Sequence, residues 1–256
     1  MAALREQFLE RFTRALFQKR GSGFVLKGGG ALRALFGPER LTQDIDLDFI
    51  GAKRSADSLH TSVRHAIEAA ARGLALTDLA VSEPGKAERS PRWKLNFSDA
   101  AGARQHLEIE VSRDPERAPP GGVVVQKPFE PRAATGIARF WVDVYDEATL
   151  AATKLAALLG REVPRDVYDL DLLRGAAPAI PPALTAWAVA RAHLDGQDPV
   201  RLLWEHLDAL SYDRYRAELE GSLSPEAAAR LDETEWTAMK LRVGDYLERQ
   251  LKADRP

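Results

Sequence analysis

Residues 44–50 constrain the fold of this chain most strongly, because polar and apolar side chains alternate there without a break. The order is Asp44, Ile45, Asp46, Leu47, Asp48, Phe49 and Ile50. A period of two predicts a β-strand with one buried and one polar face. The polar face is either the solvated side of an edge strand or a functional pair of carboxylates. In the second case Asp44 and Asp46 lie on one face, about 7 Å apart along the strand.

Three consecutive glycines, Gly28, Gly29 and Gly30, lie shortly before this strand. They follow a predicted strand at 24–26 and precede a predicted short helix at 31–36. A glycine loop in that position exposes backbone N–H groups to an anion and lets a phosphate approach closely. The glycines alone are also typical of a turn, and their order is neither a Walker A motif nor G-x-G-x-x-G. Together with the acidic strand they predict a nucleoside triphosphate site containing Mg²⁺ or Mn²⁺, ions that prefer hard oxygen ligands.

A third carboxylate comes from the stretch HLEIEVS at 106–112, which also alternates. Glu108 and Glu110 fall on one face of the predicted strand, and the apolar residues fall on the other. The period of two does not choose between the two glutamates as the third metal ligand.

The pattern changes near residue 145, from mixed strands and helices to helices almost throughout. Strands are predicted near 24–26, 44–50, 75–81, 92–98, 105–112, 123–125 and 140–144. Helices are predicted at 3–20, 31–36, 55–73, 146–160, 165–174, 182–194 and 199–210, with two more after Ser224. The sequence therefore predicts an α+β protein with a mixed sheet flanked by helices, divided into domains 1–145 and 146–256.

The composition excludes several classes of chemistry. The chain has no cysteine, which excludes disulfides, zinc–thiolate sites and thiol nucleophiles. The histidines show no metal-binding spacing, and no serine lies in a G-x-S-x-G context. No apolar run is long enough to span a bilayer, and the charged N-terminus does not resemble a signal peptide. We therefore expect a cytoplasmic protein without a membrane partner. The net charge of -2 neither favours nor excludes nucleic acid.

These motifs resemble the AbiEii/AbiGii toxin family of nucleotidyltransferases, within the polymerase-β-like superfamily. Four blocks match in family order: Lys27-Gly28-Gly29 through Arg40, Thr42 and Asp44-Ile45-Asp46-Leu47; Leu107 to Ser112; Lys154 to Leu158 with Arg161; and Arg165 to Leu170. The resemblance covers residues 24–173 and leaves the C-terminal helices unmatched.

The resemblance implies a nucleotidyltransferase domain and a helical domain that completes the active-site cleft. It implies metal binding by Asp44, Asp46 and Glu110, and catalytic roles for these two aspartates, Lys154 and Asp166. It further implies nucleotide binding by Gly28, Gly29, Gly30, Arg40, Thr42 and Lys154. Family members commonly carry a hydroxyl residue where Gly30 stands, and Asp48 is an acid beyond the usual pair. Asp169 is more typical of a structural brace for Lys154 or Arg161.

The function implied is that of a toxin in a toxin–antitoxin or phage-defence pair, with a cognate antitoxin as a possible partner. Such an enzyme transfers a nucleotide from a nucleoside triphosphate to RNA, notably the 3′ end of tRNA, and blocks translation. Two alternatives stay open: transfer to a small molecule or protein, and a catalytically inactive nucleotide-binding partner protein. The tryptophans are more typical of core residues than of base-stacking surfaces, and Trp93 is the one to test for contact with RNA or a base.

Overall fold

The computed structural model describes residues 2–18, 21–37, 44–50, 55–72, 74–114, 116–132, 136–177, 179–194 and 196–253. Arg40 and Thr42, both predicted to contact the nucleotide, lie outside these residues. The chain divides into two compact units, Met1–Ala118 with Val124–Val144 and Pro119–Val123 with Tyr145–Pro256. The roles predicted for domains 1–145 and 146–256 stay predictions.

A mixed seven-stranded sheet forms the centre of the first unit, and it confirms the predicted α+β class. Its strands are β1 Phe24–Lys27, β2 Ile45–Phe49, β3 Thr77–Ser82, β4 Arg92–Ser98, β5 Arg104–Ser112, β6 Val124–Phe129 and β7 Phe140–Tyr145. Their spatial order is β3-β4-β5-β2-β1-β7-β6. Strand β2 runs antiparallel to β1 and parallel to β5, so the two acidic strands predicted from the sequence are neighbours.

Helices cover one face of this sheet. They are α1 Ala2–Phe17, α2 Gly28–Phe36 and α3 Ala56–Ala71. Phe8 of α1 stacks on Phe97 of β4 at 5.6 Å between ring centroids, and His60 of α3 packs on Trp93 at 5.0 Å. Trp93 is fully buried, so its predicted contact with RNA is wrong. The alternation of β4 places this tryptophan in the core.

The opposite face of the sheet carries the charged side chains of β4 and β5, and we call it the polar face. On β4 the exposed residues Arg92, Lys94 and Asn96 alternate with the buried apolar ones. Residues in register on neighbouring strands share a face. The register of β4 with β5 therefore places Glu108 and Glu110 on the polar face as well.

The second unit is helical. Its helices are α4 Glu147–Gly160, α5 Pro164–Ala176, α6 Pro182–Arg191, α7 Pro199–Ala209, α8 Tyr212–Glu218, α9 Pro225–Arg230 and α10 Glu233–Ala253. Ser224 caps α9, and Pro225 is its first residue, a position that suits proline. Helix α8 was not predicted, because seven mostly polar residues are too few to show a helical period. No helix in the described part of the chain is long and apolar enough to cross a membrane.

Candidate active site

The structure brings the predicted acidic residues together on the polar face. Asp46 of β2 lies directly beside Glu110 of β5 in the parallel pairing. Asp44, just before β2, accepts a hydrogen bond of 3.1 Å from the backbone N–H of Glu108. Asp44 and Asp46, around the start of β2, and the two glutamates of β5 thus form one acidic cluster.

The electrostatics of Asp44 reflect this crowding. Burial raises the pKa of the Asp44 carboxyl above its usual value, and the negative charges of Asp46 and Glu108 raise it further. The hydrogen bond from the Glu108 backbone acts in the opposite direction but does not cancel these effects. A carboxylate whose ionised form is penalised by its neighbours gains from a nearby cation.

Arg92 of β4 is a component of this cluster that the sequence reasoning missed. It lies in register with Glu110, with Nη2 at 2.8 Å from Glu110 Oε2 and Nη1 at 3.4 Å from Glu108 Oε1. The alternation of β4 could have placed Arg92 on a polar face. Only the pairing of β4 with β5 places it against the glutamates.

Asp44 and Asp46 fit the requirements of a Mg²⁺ or Mn²⁺ ion, because both are hard oxygen donors in a negatively charged setting. Glu110 would share its carboxylate between Arg92 and the ion. Within the described residues, no group of three acidic or histidine side chains is disposed to hold a metal by itself. The protein donors fit an ion that takes its remaining ligands from water and substrate phosphates.

The predicted glycine loop is wrong in detail, because Gly28 is already the first residue of helix α2. Its φ of 57° lets the chain turn from β1 directly into the helix, a conformation that favours glycine. A Cβ at this position would overlap the Oδ2 atom of Asp46. Gly28 therefore allows the start of α2 to lie against the acidic cluster.

The first turn of α2 can bind an anion. The preceding residue, Lys27, makes no side-chain cap hydrogen bond. The first backbone N–H groups of a helix have no partner within the helix, and phosphate groups commonly bind there. Gly28, Gly29 and Gly30 thus provide a helix N-terminus beside carboxylates, which is an arrangement suited to a triphosphate and its metal ion.

Gly30 has a packing role that accounts for the absence of the hydroxyl residue expected there from the resemblance. It is buried, and a Cβ there would lie 2.9 Å from Cδ1 of Leu26, a side chain in the core. A hydroxyl residue at this position would displace Leu26. The close contact between α2 and β1 therefore favours glycine.

Asp48, the acid beyond the usual pair, binds Lys27. Their ion pair measures 2.9 Å between Lys27 Nζ and Asp48 Oδ1, and the Asp48 side chain is only 7% exposed. The alternation of 44–50 suggested a solvated acid, and for Asp48 this is wrong. A lysine on the neighbouring strand compensates its burial, since a buried carboxylate requires a partner.

Lys154, Asp166 and Asp169 form an ion cluster in the second unit. Lys154 Nζ lies 3.0 Å from Asp166 Oδ1 and 2.6 Å from Asp169 Oδ2, while Arg161 Nε lies 2.9 Å from Asp166 Oδ2. Both aspartates are fully buried. Burial disfavours ionisation of Asp166, but Lys154 and Arg161 outweigh it and hold its pKa below the usual value.

The contacts within this ion cluster assign a bracing role to both aspartates. Asp169 braces Lys154, as the sequence suggested, and Asp166 holds Lys154 and Arg161 together. Phosphate binding by Lys154 and catalysis by Asp166 stay predictions.

Comparisons with known proteins relate the chain to a sequence family and to solved structures. A sequence model of the family described as "Nucleotidyl transferase AbiEii toxin, Type IV TA system" matches residues 9–251. The structure is similar to the nucleotidyltransferase toxin MenT4 of Mycobacterium tuberculosis, with 22% identity, a TM-score of 0.60, and coverage of 100% of this chain and 94% of that one. It is also similar to JHP933 of Helicobacter pylori, with 18% identity, a TM-score of 0.53, and coverage of 98% and 95%. No curated protein matches the chain.

Proposed function

Because the chain belongs to the AbiEii family of nucleotidyltransferase toxins of type IV toxin–antitoxin systems, we propose that it transfers a nucleoside monophosphate from a nucleoside triphosphate to RNA. The acceptor we propose is the 3′ end of tRNA, whose blockage stops translation. A cognate antitoxin is the expected protein partner. Residues 1–145 act as the nucleotidyltransferase domain.

One observation carries the proposal. The N-terminus of helix α2 and the acidic cluster meet at Gly28, whose backbone lies against the Asp46 carboxylate. A triphosphate placed there has N–H donors on one side and metal-binding carboxylates on the other. A site with only one of these features would suit a simple anion or a simple cation.

In the reaction, a hydroxyl oxygen of the acceptor attacks the α-phosphorus in line. A new P–O bond forms, and the proton of the hydroxyl passes to solvent. The bond from the α-phosphorus to the oxygen leading to the β-phosphate breaks, and pyrophosphate leaves with its electron pair. A Mg²⁺ or Mn²⁺ ion held by Asp44, Asp46 and Glu110 would supply neutralisation of the phosphate charge. The chain itself orients the triphosphate through the N–H groups of α2. Such transfers depend mainly on positioning and charge neutralisation.

The test is transfer of label from ATP, GTP, CTP and UTP to total tRNA with Mg²⁺, by the wild type and Asp46→Asn. The variant keeps the shape of the side chain but removes the charge, so transfer should fall by about 100-fold or more. Asp143→Asn is the matched control, because Asp143 lies on β7 and accepts a hydrogen bond from Gln126. It should retain wild-type activity.

Failure of the wild type to label RNA with any nucleotide would refute the proposal. Label in a protein or small-molecule fraction instead would identify the alternative acceptors. Nucleotide binding without transfer to any acceptor would indicate an inactive partner protein. Full activity of Asp46→Asn would refute the metal assignment alone.

A further inference from the structure

A second group of polar residues lies on the polar face, beyond the acidic cluster. It consists of Lys94 and Asn96 of β4 with Arg104 and His106 of β5, and we call it the basic strip. The register pairs Lys94 with Glu108 and Asn96 with His106. All four residues of the strip are exposed. The strip starts beside the acidic cluster and continues along the two strands.

Two cations of the strip have no role in holding the protein together. Within the described part of the chain, the side chains of Lys94 and Arg104 make no hydrogen bond or ion pair. Arg92, at the start of the same face, is paired with the two glutamates. The strip therefore contains positive charge that the described fold does not use.

The chemical character of the strip selects among ligands. Its four residues are charged or polar, and Asn96 bonds His106 at 3.0 Å. The adjacent residues of β3 on this side, Ala80 and Ser82, are small and exposed. Protein interfaces rely on buried aromatic or aliphatic anchors, and this surface offers none. A flat polar surface with unpaired cations is instead complementary to a phosphodiester backbone.

We propose that the basic strip binds the sugar–phosphate backbone of the single-stranded end of the acceptor nucleic acid, close to its reactive hydroxyl. This inference rests on the proposed transfer to RNA and adds the surface that holds the acceptor. From the level of Arg92 to that of Arg104 the strands extend about 20 Å. That is the length of roughly six stacked nucleotides. Lys94 and Arg104 bind phosphates.

Direct binding provides the first test. The affinity of the full chain for a fluorescein-labelled, single-stranded RNA 12-mer is measured by anisotropy over a series of salt concentrations, without nucleotide. Each phosphate contact contributes about 0.7 to the slope of log K against log salt for single strands. The double variant Lys94→Gln/Arg104→Gln should bind more weakly, with a slope smaller by about 1.4.

The matched control is Arg64→Gln/Lys86→Gln, which removes the same charge from the first unit. Both side chains are more than half exposed, and they pair with Glu83 and with Asp57 of α3. This variant should keep the wild-type slope. Equal slopes for the wild type and the strip variant would overturn the inference. Absence of RNA binding by the wild type, or an equal loss in the control, would do the same.

Transfer to two acceptors separates the strip from the proposed function. The ratio of kcat/KM for the 12-mer to kcat/KM for a dinucleotide should fall in the strip variant and stay constant in the control. If the wild type transfers to RNA but neither slope nor ratio responds to the strip variant, only the strip inference fails. If no RNA is labelled while the slope still responds, the transfer proposal fails and the binding surface stands.

Discussion

At the scale of single residues, Gly28 joins the two halves of the candidate site. Its left-handed conformation favours glycine, and a Cβ there would overlap the Asp46 carboxylate. Glycine at this position therefore lets the backbone N–H groups and the acidic cluster lie close together. A larger residue would separate the phosphate-binding and metal-binding groups.

We expect Gly28→Ala to reduce nucleotide transfer by about 100-fold, because it displaces the Asp46 carboxylate, and a shift of about 1 Å at a reacting centre has that effect. Mn²⁺ affinity, measured by titration calorimetry, should fall as well. Gly102→Ala is the control, since Gly102 has a φ of 80° and no atom near the missing Cβ. It has a similar backbone strain of about 1–2 kcal/mol. Equal activity of the two variants would exclude the steric explanation.

At the scale of secondary structure, local sequence patterns predicted most helices and strands. They did not predict the contacts that depend on how these elements pair. The period of two located β2 and β4 because each has one buried face. The start of α2 was predicted at residue 31, but the helix begins at Gly28. Glycine has a low helix propensity, so three glycines in a row do not indicate the first turn of a helix. The partnership of Arg92 with Glu110 was missed, because it depends on the register of the hairpin that β4 and β5 form, and the strand patterns alone do not fix that register.

The contact between α1 and α2 is a second case in which local sequence did not predict the partners of a side chain. Arg33 of α2 is buried between Glu6 and Glu10 of α1, and its guanidinium lies 4.8 Å from the ring centre of Phe129. Nothing in the local sequence distinguishes Arg33 from a solvated arginine. Its burial is compensated by the two carboxylates that face it from the neighbouring helix.

Arg33→Met should lower the free energy of unfolding by about 3–5 kcal/mol, the usual effect of removing one partner from a buried ion pair. Two carboxylates would then stay buried without their cation. The change is measured by urea unfolding, with Arg216→Met as control, because Arg216 is 60% exposed and pairs with Glu220. The control should change stability by less than about 1 kcal/mol. If Arg33→Met also lost less than about 1 kcal/mol, the arginine would not compensate the burial of Glu6 and Glu10.

At the scale of the whole molecule, each compact unit contains a buried ionic cluster, and the two clusters respond to pH in opposite ways. In the first unit, burial raises the pKa of Glu6, and the attraction of Arg33 does not fully offset it. In the second, Lys154 and Arg161 overcome burial and lower the pKa of Asp166. An acid with a raised pKa stabilises the fold below its unfolded pKa and loses that contribution as the pH rises through its folded pKa. An acid with a lowered pKa stabilises the fold above its unfolded pKa and loses that contribution as the pH falls through its folded pKa.

Two isosteric variants should therefore show different pH profiles of unfolding free energy. For Glu6→Gln, the stability of the wild type relative to the variant should fall as the pH rises above the ordinary glutamate pKa of 4.5. For Asp166→Asn, the difference should stay constant above the ordinary aspartate pKa of 3.8, because the carboxyl is ionised there in both states. Urea unfolding between pH 4.5 and 8 measures both differences. A flat profile for Glu6→Gln would mean that Arg33 compensates the burial of Glu6 completely. A sloping profile for Asp166→Asn would mean that the cluster around Lys154 is not ionised as its contacts indicate.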